Sequence, residues 1–503
     1  MKIMIAYPPL PTDKGVPLLS QNRQFQYFSN PTYIYPMLPA YAATMLKNMG
    51  HDVAWADAIA SEKSDKEFIN DLMDFKPDMV AIEAKTPVIG QYWRWIDSLK
   101  AMSPKTRFVL MGDHVTALPE ESMENSKADF VLCGGDFDFG LANIADHMAK
   151  NADLDHGVYF REENGSIGNT GPFKQRDLKG VLPIDRDLTQ WELYAHKNGN
   201  FKYLPGAYTM IGRDCWWRTG GGCTFCSWTN TFKSFRVGTP ESLLDEIEML
   251  VSKYGIREVF DDTGTFPIGG WLKKFCNGMI ERGLNKRVKI GCNMRPGALS
   301  QEEYDLMGKA GFRFVLYGLE SANKATLDRI NKGHKEHAMA ETARMAKQAG
   351  LEPHATCMVG YPWESRDEAM ATIEMTKDLF RRGWINTLQA TIVIPYPGTR
   401  LFKECEDNDW LKTRDWARYD MREPVMKCPM PDDEVMGLTQ GLYRSFITPK
   451  FIMKKLVSIR SVDDIRFFYR AGKAVVGHLS DFNKKQACGN KPEGADKETV
   501  IRG

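Results

Sequence analysis

The sequence predicts an α/β protein made of two open βα arrays. The first is a doubly wound parallel sheet, the second a partial (βα)6, TIM-like barrel, and a helical extension follows. Three observations predict this. Short apolar runs alternate with amphipathic helical runs over residues 1–150 and again over 206–405. The apolar runs end in clusters of Gly, Pro, Asp or His. Three cysteines, Cys215, Cys223 and Cys226, follow the first strand of the second array, at the strand end where such barrels keep their chemistry. A connector is expected at 151–205, and helices with a disordered tail at 406–503.

In the first array, Ile3 to Tyr7 is a strand closed by Pro8 and Pro9. Leu38, Tyr41, Ala42, Met45, Leu46 and Met49 recur at helical spacing, and Gly50 stops that helix. Further strands are expected at 53–55, 78–84, 108–111 and 130–132, with helices at 92–102 and 139–148. Ligands of such sheets sit beyond the carboxyl ends of the strands. That edge carries Pro8, Pro9, Gly112, Asp113, His114, Gly134 and Gly135. Many sheets of this topology bind nucleotides or nothing, and His114 alone reads first as a loop histidine.

The connector is dense in turn formers between Asn164 and Pro172, which predicts a hairpin. Trp191, Tyr194, Phe201 and Tyr203 are read as packing between domains.

The second array opens with a strand from Tyr208 to Gly212. Thr239-Pro240-Glu241 starts a helix, with Thr as N-cap and Pro in its first turn. Strands at 258–260, 289–292, 314–316, 354–359 and 388–394 end respectively at Asp261-Asp262-Thr263, near Arg295, at Gly318-Leu319-Glu320-Ser321, at Gly360-Tyr361-Pro362 and at Pro395-Tyr396-Pro397-Gly398-Thr399. Cys357 and Tyr317 lie near these ends and are weak candidates for hydrogen-atom donors, with core positions as the commoner reading.

The spacing of the cysteines is chemical information. Seven residues separate Cys215 from Cys223, and two separate Cys223 from Cys226. Three thiolates suit a four-iron cluster that leaves one iron for an outside ligand, since all-protein clusters usually carry four cysteines. A closed zinc site wants a fourth Cys or His. Zinc or buried thiols stand as the competing reading.

Cys223-Thr-Phe225-Cys226 resembles the second half of the radical S-adenosylmethionine (SAM) motif, with an atypical first gap that Gly220, Gly221 and Gly222 help to span. The usual first position holds Thr219, so Cys215 is the first ligand the resemblance implies. The strand ends resemble the same family, although Trp363 stands where Gly is usual. The resemblance implies SAM contacts at Phe225, Asp261, Asp262, Thr263, Arg295, Glu320 and Ser321. The first array resembles the cobalamin-binding domain that precedes many such barrels. The family's D-x-H-x-x-G motif is absent, so no cobalt ligand is expected from it. The implied cofactors are a [4Fe-4S] cluster, SAM and cobalamin, with an electron donor such as flavodoxin or ferredoxin.

The implied chemistry is reductive cleavage of SAM to a 5′-deoxyadenosyl radical, hydrogen abstraction from an unactivated carbon, and methylation through methylcobalamin. The alternative is ring closure, ring contraction or carbon–carbon coupling on the same scaffold. A non-catalytic cobalamin or iron–sulfur sensor is a third reading, favoured if Asp261, Arg295 and Glu320 face away from the barrel mouth. Trp216, Trp217 and Trp228 lean towards an apolar, small-molecule or lipid-like substrate.

Composition narrows the partners. The 503 residues carry 66 basic and 65 acidic side chains, a balance that gives nucleic acid no basic surface to read. Seven of the ten cysteines are scattered singly, as in reduced proteins. With no signal peptide or spanning segment seen, the expected location is cytoplasmic. Helices are expected at 432–446 and 449–459. Lys450, Lys454, Lys455, Arg460, Arg466 and Arg470 interleave there with apolar residues. Such a stretch suits a solvated helix face first and peripheral membrane contact second. The tail from Lys484 is polar.

Overall fold

The computed structural model describes residues 1–10, 13–19, 25–28, 31–179, 181–199, 201–335, 337–446, 453, 457 and 459–473. The first sheet contains β1 (Lys2–Tyr7), β4 (Asp52–Asp57), β5 (Met79–Glu83), β6 (Arg107–Met111), β7 (Phe130–Leu132), β8 (Val158–Arg161) and β9 (Ile167–Asn169). Its strand order is β4-β1-β5-β6-β7-β8-β9. The first five strands run parallel, and β8 and β9 add an antiparallel edge. The connector's expected hairpin is this edge. A hairpin of β2 (Val16–Leu19) and β3 (Phe25–Phe28) follows β1 and was not foreseen.

The second sheet is all parallel, in the order β10 (Gly206–Thr209), β13 (Glu258–Asp261), β14 (Lys289–Met294), β15 (Phe312–Glu320), β16 (Glu352–Val359) and β17 (Thr387–Ile392). Six strands in simple succession make the open barrel that the sequence predicts. A two-stranded ribbon of β11 (Gly212–Arg213) and β12 (Arg236–Val237) brackets the cysteine loop.

Local chemistry explains the helices between strands. At Pro240–Tyr254 the Thr239 side chain accepts from Ser242 N, and Leu243, Leu244, Ile247 and Leu250 are buried. The cap is worth about 1 kcal/mol. Each buried leucine or isoleucine contributes roughly 2 kcal/mol, so packing decides the helix. Ser300 and Ser365 form reciprocal capping boxes with Glu303 and Glu368 at the next helices.

Residues on both sides of 405 pack on the first sheet. Ile394, Tyr396, Phe402, Trp416, Tyr419 and Val425 join the apolar core of the first sheet, beside Val88, Tyr92 and Leu110. The expected helix at 432–446 is present as Asp432–Phe446. A helix over 462–473 packs on the barrel through Lys202–Asp464 and Arg257–Asp463 ion pairs. Most of the stretch expected as a helix at 449–459, and the tail from Lys484, lie outside the described residues.

Candidate active site

The barrel's strand parity builds the site. Along β15, Leu316, Gly318 and Glu320 turn inward to a chamber, while Val315, Tyr317 and Leu319 turn outward into the helix layer. On β16, Thr356 and Met358 face in and Cys357 faces out. The chamber encloses about 1140 Å³ of atom-free space, partly open to solvent. Asn293, Met294 and Arg295 line it from the end of β14, Thr265 from beyond β13, and Gln389 from β17.

The cysteine loop forms its floor, with Cys215, Cys223 and Cys226 all lining the chamber. The seven-residue spacer folds as a 3-10 turn over Trp216–Gly220, and Gly221 and Gly222 take φ of 88° and 70°. Positive φ is costly for other residues, so the spacer needs glycine here. Neighbouring segments hold the loop by its carbonyls. Asn331 Nδ2 donates to Gly220 O and Gly222 O, both at 2.7 Å. Arg400 donates to Gly221 O at 2.9 Å. Trp217 Nε1 donates to Asn331 O at 2.8 Å. Within the loop, Arg218 pairs with Asp214 at 2.6 Å.

Side chains from the barrel reach the sulfurs of Cys215 and Cys223. Thr265 Oγ1 lies 3.0 Å from Cys215 Sγ, and Arg295 Nη1 lies 3.9 Å from Cys223 Sγ. The Arg295 guanidinium sits 4.3 Å from the centre of the Trp217 ring. Across the chamber Glu320, at φ +61°, pairs with Lys332. A carboxylate residue in left-handed backbone is strained, and a break in the β15–β16 register at Gly318/Glu320 accompanies it. Phe225 lies under the Lys332 ammonium, 5.8 Å from it.

Other expected SAM contacts serve the frame. Asp261 is buried outside the chamber and accepts from Thr209 Oγ1 and Ile211 N, at 2.9 and 3.0 Å. Burial pushes its carboxyl up. Thr263 Oγ1 accepts from Gly212 N at 2.8 Å. Asp262 meets Asn293 Nδ2 at 3.5 Å. Ser321 accepts from Asn323 N at 3.0 Å. Tyr317 and Cys357 do not reach the chamber either. Tyr317 donates to Tyr304 Oη at 3.0 Å, and burial pushes the Cys357 thiol up to about 12. Trp217 lines the chamber, whereas Trp228 packs on Phe232. Lys332, Thr265, Asn293 and Asn331 were missed. Thr356 and Met358 were legible from strand parity.

The carboxyl edge of the first sheet docks against the cysteine loop. Gly135 N donates to Thr231 O at 2.9 Å, Asn230 Nδ2 donates to Asp113 O at 3.3 Å, and Arg213 pairs with Asp136 and Asp138. A side chain at Gly134 or Gly135 would strike Phe173 or Phe232. Gly112, at φ +132°, backs onto Ala84 O. Pro8 and Pro9 are buried, and Pro9 O accepts from Trp95 Nε1 at 2.9 Å. His114 is fully buried, and its ring nitrogens meet Thr86 Oγ1 at 3.2 Å and Glu121 Oε2 at 3.3 Å. It is a core histidine in the short helix Asp113–Ala117, not the loop histidine expected.

The donor set fits the implied groups. Among the described residues no three His, Cys, Asp or Glu side chains gather around one metal-ion position. The three thiols share a larger volume, as thiolates bound to separate corners of a cluster must. Asn293, Lys332 and Glu320 offer donors and an acceptor to a ligand with both carboxylate and amino groups. At the sheet edge the Tyr92 hydroxyl and the Trp93 indole N–H are buried without partners, near the start of the helix Ile89–Met102. An amide-rimmed corrin meets such polar atoms.

Known proteins bear on this geometry. Residues 210–376 match the radical SAM superfamily model, and residues 31–136 match the B12 binding domain model. The chain is a radical SAM enzyme with an N-terminal B12-binding domain, a class that implies SAM, a [4Fe-4S] cluster and cobalamin. It is 28% identical over 431 residues to an uncharacterised methyltransferase of Pyrococcus horikoshii, covering 84% of this chain and 90% of the relative. It is 26% identical over 427 residues to the anaerobic magnesium-protoporphyrin IX monomethyl ester cyclase of Cereibacter sphaeroides, covering 82% and 67%. Two solved structures share the fold. The methyltransferase TsrM from Kitasatospora setae, with cobalamin and [4Fe-4S] bound, superposes with a TM-score of 0.64 at 14% identity, covering 86% of this chain and 84% of that one. OxsB with aqua-cobalamin and SAM bound gives 0.67 at 12%, covering 98% and 73%.

Proposed function

We propose that this enzyme methylates an unactivated carbon of a small, largely apolar molecule. The observation that carries this reading is one shared chamber. Its floor holds three thiols, its polar wall holds Asn293, Arg295, Glu320 and Lys332, and its remaining walls are Phe225, Leu316, Met358, Val393, Ile394 and Met421. Once bound, the cluster would supply the electron for SAM cleavage and cobalamin the methyl group.

The chain's own residues bind, orient and exclude water. Cys215, Cys223 and Cys226 would hold the cluster as thiolates. Lys332 and Asn293 donate to a ligand carboxylate, and Glu320 accepts from its amino group. The apolar walls keep water from reactive carbon centres. No protein acid or base is required, and Tyr317 and Cys357 are turned away. Ring closure is the second reading, favoured by the similarity to cyclases over four-fifths of the chain.

We also propose that the helix over 462–473 touches an anionic membrane surface. Val462, Ile465 and Tyr469 are 62%, 54% and 75% exposed at helical spacing, and Arg466 lies on the same face. This placement favours a lipid-like substrate.

The test is anaerobic reconstitution with iron, sulfide and cobalamin, then SAM and a strong reductant. About four irons and one cobalt, with both 5′-deoxyadenosine and S-adenosylhomocysteine formed, are expected. Deoxyadenosine alone, with the correct substrate present, moves the assignment to the second reading. Iron unchanged in the Cys215→Ala, Cys223→Ala, Cys226→Ala triple variant sinks both.

A further inference from the structure

We propose that Arg295 and Thr265 raise the reduction potential of the cluster, each by donating a hydrogen bond to one cysteine sulfur. The inference rests on the reading that the three thiols hold a cluster. The donors come from the barrel and not from the cysteine loop. Arg295 follows β14 and reaches Cys223 Sγ at 3.9 Å; Thr265 follows β13 and reaches Cys215 Sγ at 3.0 Å.

Both donors are held in place. Arg295 is 6% exposed, lies against the Trp217 ring, and gives its other terminal nitrogen to Lys332 O. The guanidinium brings a positive charge and several N–H donors. Thr265 is 3% exposed and has one proton to give, with Gly264 O at 2.8 Å as the competing acceptor. A free thiol can itself donate to the Thr265 oxygen. A metal-bound thiolate has no proton, so in that state only the hydroxyl can donate within this pair.

The sign follows from charge. Reduction makes the cluster more negative. A donor on a sulfur, and still more a buried cation beside it, favours that reduced form and raises the potential. Trp217 belongs to the seven-residue spacer between Cys215 and Cys223. The long spacer thereby supplies the ring that holds Arg295 against the cluster site.

The experiment is a redox titration followed by electron paramagnetic resonance on the reconstituted full-length protein. Arg295→Gln and Thr265→Val are expected to shift the midpoint to more negative potential, Arg295→Gln by more, with iron and sulfide per chain unchanged. Arg295→Lys should recover part of the arginine shift. Midpoints equal to that of the parent protein, with the cluster intact, overturn the proposal. Loss of iron from Thr265→Val or Arg295→Lys also overturns it, because these residues would then assemble the cluster rather than tune it. A parent protein that takes up no cluster sinks the functional reading itself.

Discussion

Lys332 Nζ and Glu320 Oε1 stand 2.7 Å apart at the chamber wall, each side chain 9% exposed. Two buried charges so close are interdependent. Removing one leaves the other uncompensated, at a cost of about 3–5 kcal/mol, whereas replacing both is far milder. Lys332→Met should therefore destabilise the protein more than Lys332→Met with Glu320→Gln. Thermal unfolding of the two single variants and the double closes that cycle. Additive losses would show that the pair is not coupled.

Gly333 follows Lys332 in the strap of residues 331–334 that crosses the cysteine loop, and it presses against Trp217. A Cβ there would sit 1.9 Å from the indole ring, on backbone at φ +70°. Gly333→Ala must push the ring away and strain the turn, a loss of roughly 2 kcal/mol or more. The displaced Trp217 also anchors Asn331, which holds the cysteine loop. We expect lower iron content after reconstitution, partly restored by adding Trp217→Ala. Full iron content in Gly333→Ala would separate the strap from the cluster site.

Both βα arrays were legible because their strands are apolar runs closed by turn formers, and the cysteine spacing marked the loop. Lys332 was not, because Asn331-Lys332-Gly333-His334 reads locally as an ordinary turn after a helix. It gains its place only when the strap crosses the cysteine loop. Asp261 and Ser321 show the converse, since the structure gives both of them partners within the frame. A polar residue at a strand end fits a ligand contact or a frame bond equally well, and three-dimensional partners decide. The hairpin of β2 and β3 and the packing of Trp416 and Tyr419 on the first sheet are long-range contacts that periodicity does not record.

Glu364 predicts a pH dependence. It is fully buried, and its Oε2 accepts from Gly360 N at 2.7 Å while Oε1 has no partner. Burial pushes its carboxyl up from 4.5 to about 7. The folded state holds this proton more tightly than the unfolded chain, so stability falls as pH rises from about 4.5 to about 7 and then levels. The full effect is about 3 kcal/mol. Glu364→Gln should be more stable than the parent at pH 8, with the difference narrowing towards pH 5.5. Parallel unfolding curves across that range would remove Glu364 as the cause.

Tyr317 and Cys357 predict a null effect on chemistry. Tyr317→Phe loses one buried hydrogen bond to Tyr304, costing about 1 kcal/mol. Cys357→Ala removes a sulfur from the outward face of β16 at a cost of similar size. Neither should change the ratio of methylated product to 5′-deoxyadenosine. A drop in product at constant SAM cleavage would make that residue a hydrogen donor after all.

The exposed stripe of the last described helix gives the final test. Val462, Ile465 and Tyr469 point to solvent on a helix whose other face is pinned by Asp464 to Lys202. Burying three such side chains in a lipid interface is worth several kcal/mol at about 25 cal/mol per Å². Attraction of the basic residues to anionic lipid adds a salt-sensitive part. The protein should therefore sediment with phosphatidylglycerol vesicles, less with phosphatidylcholine, and less again in high salt. Replacing the three residues by serine should abolish sedimentation while leaving the thermal midpoint unchanged, since they touch no core. Equal sedimentation of parent and triple variant would place the contact elsewhere and withdraw the membrane reading.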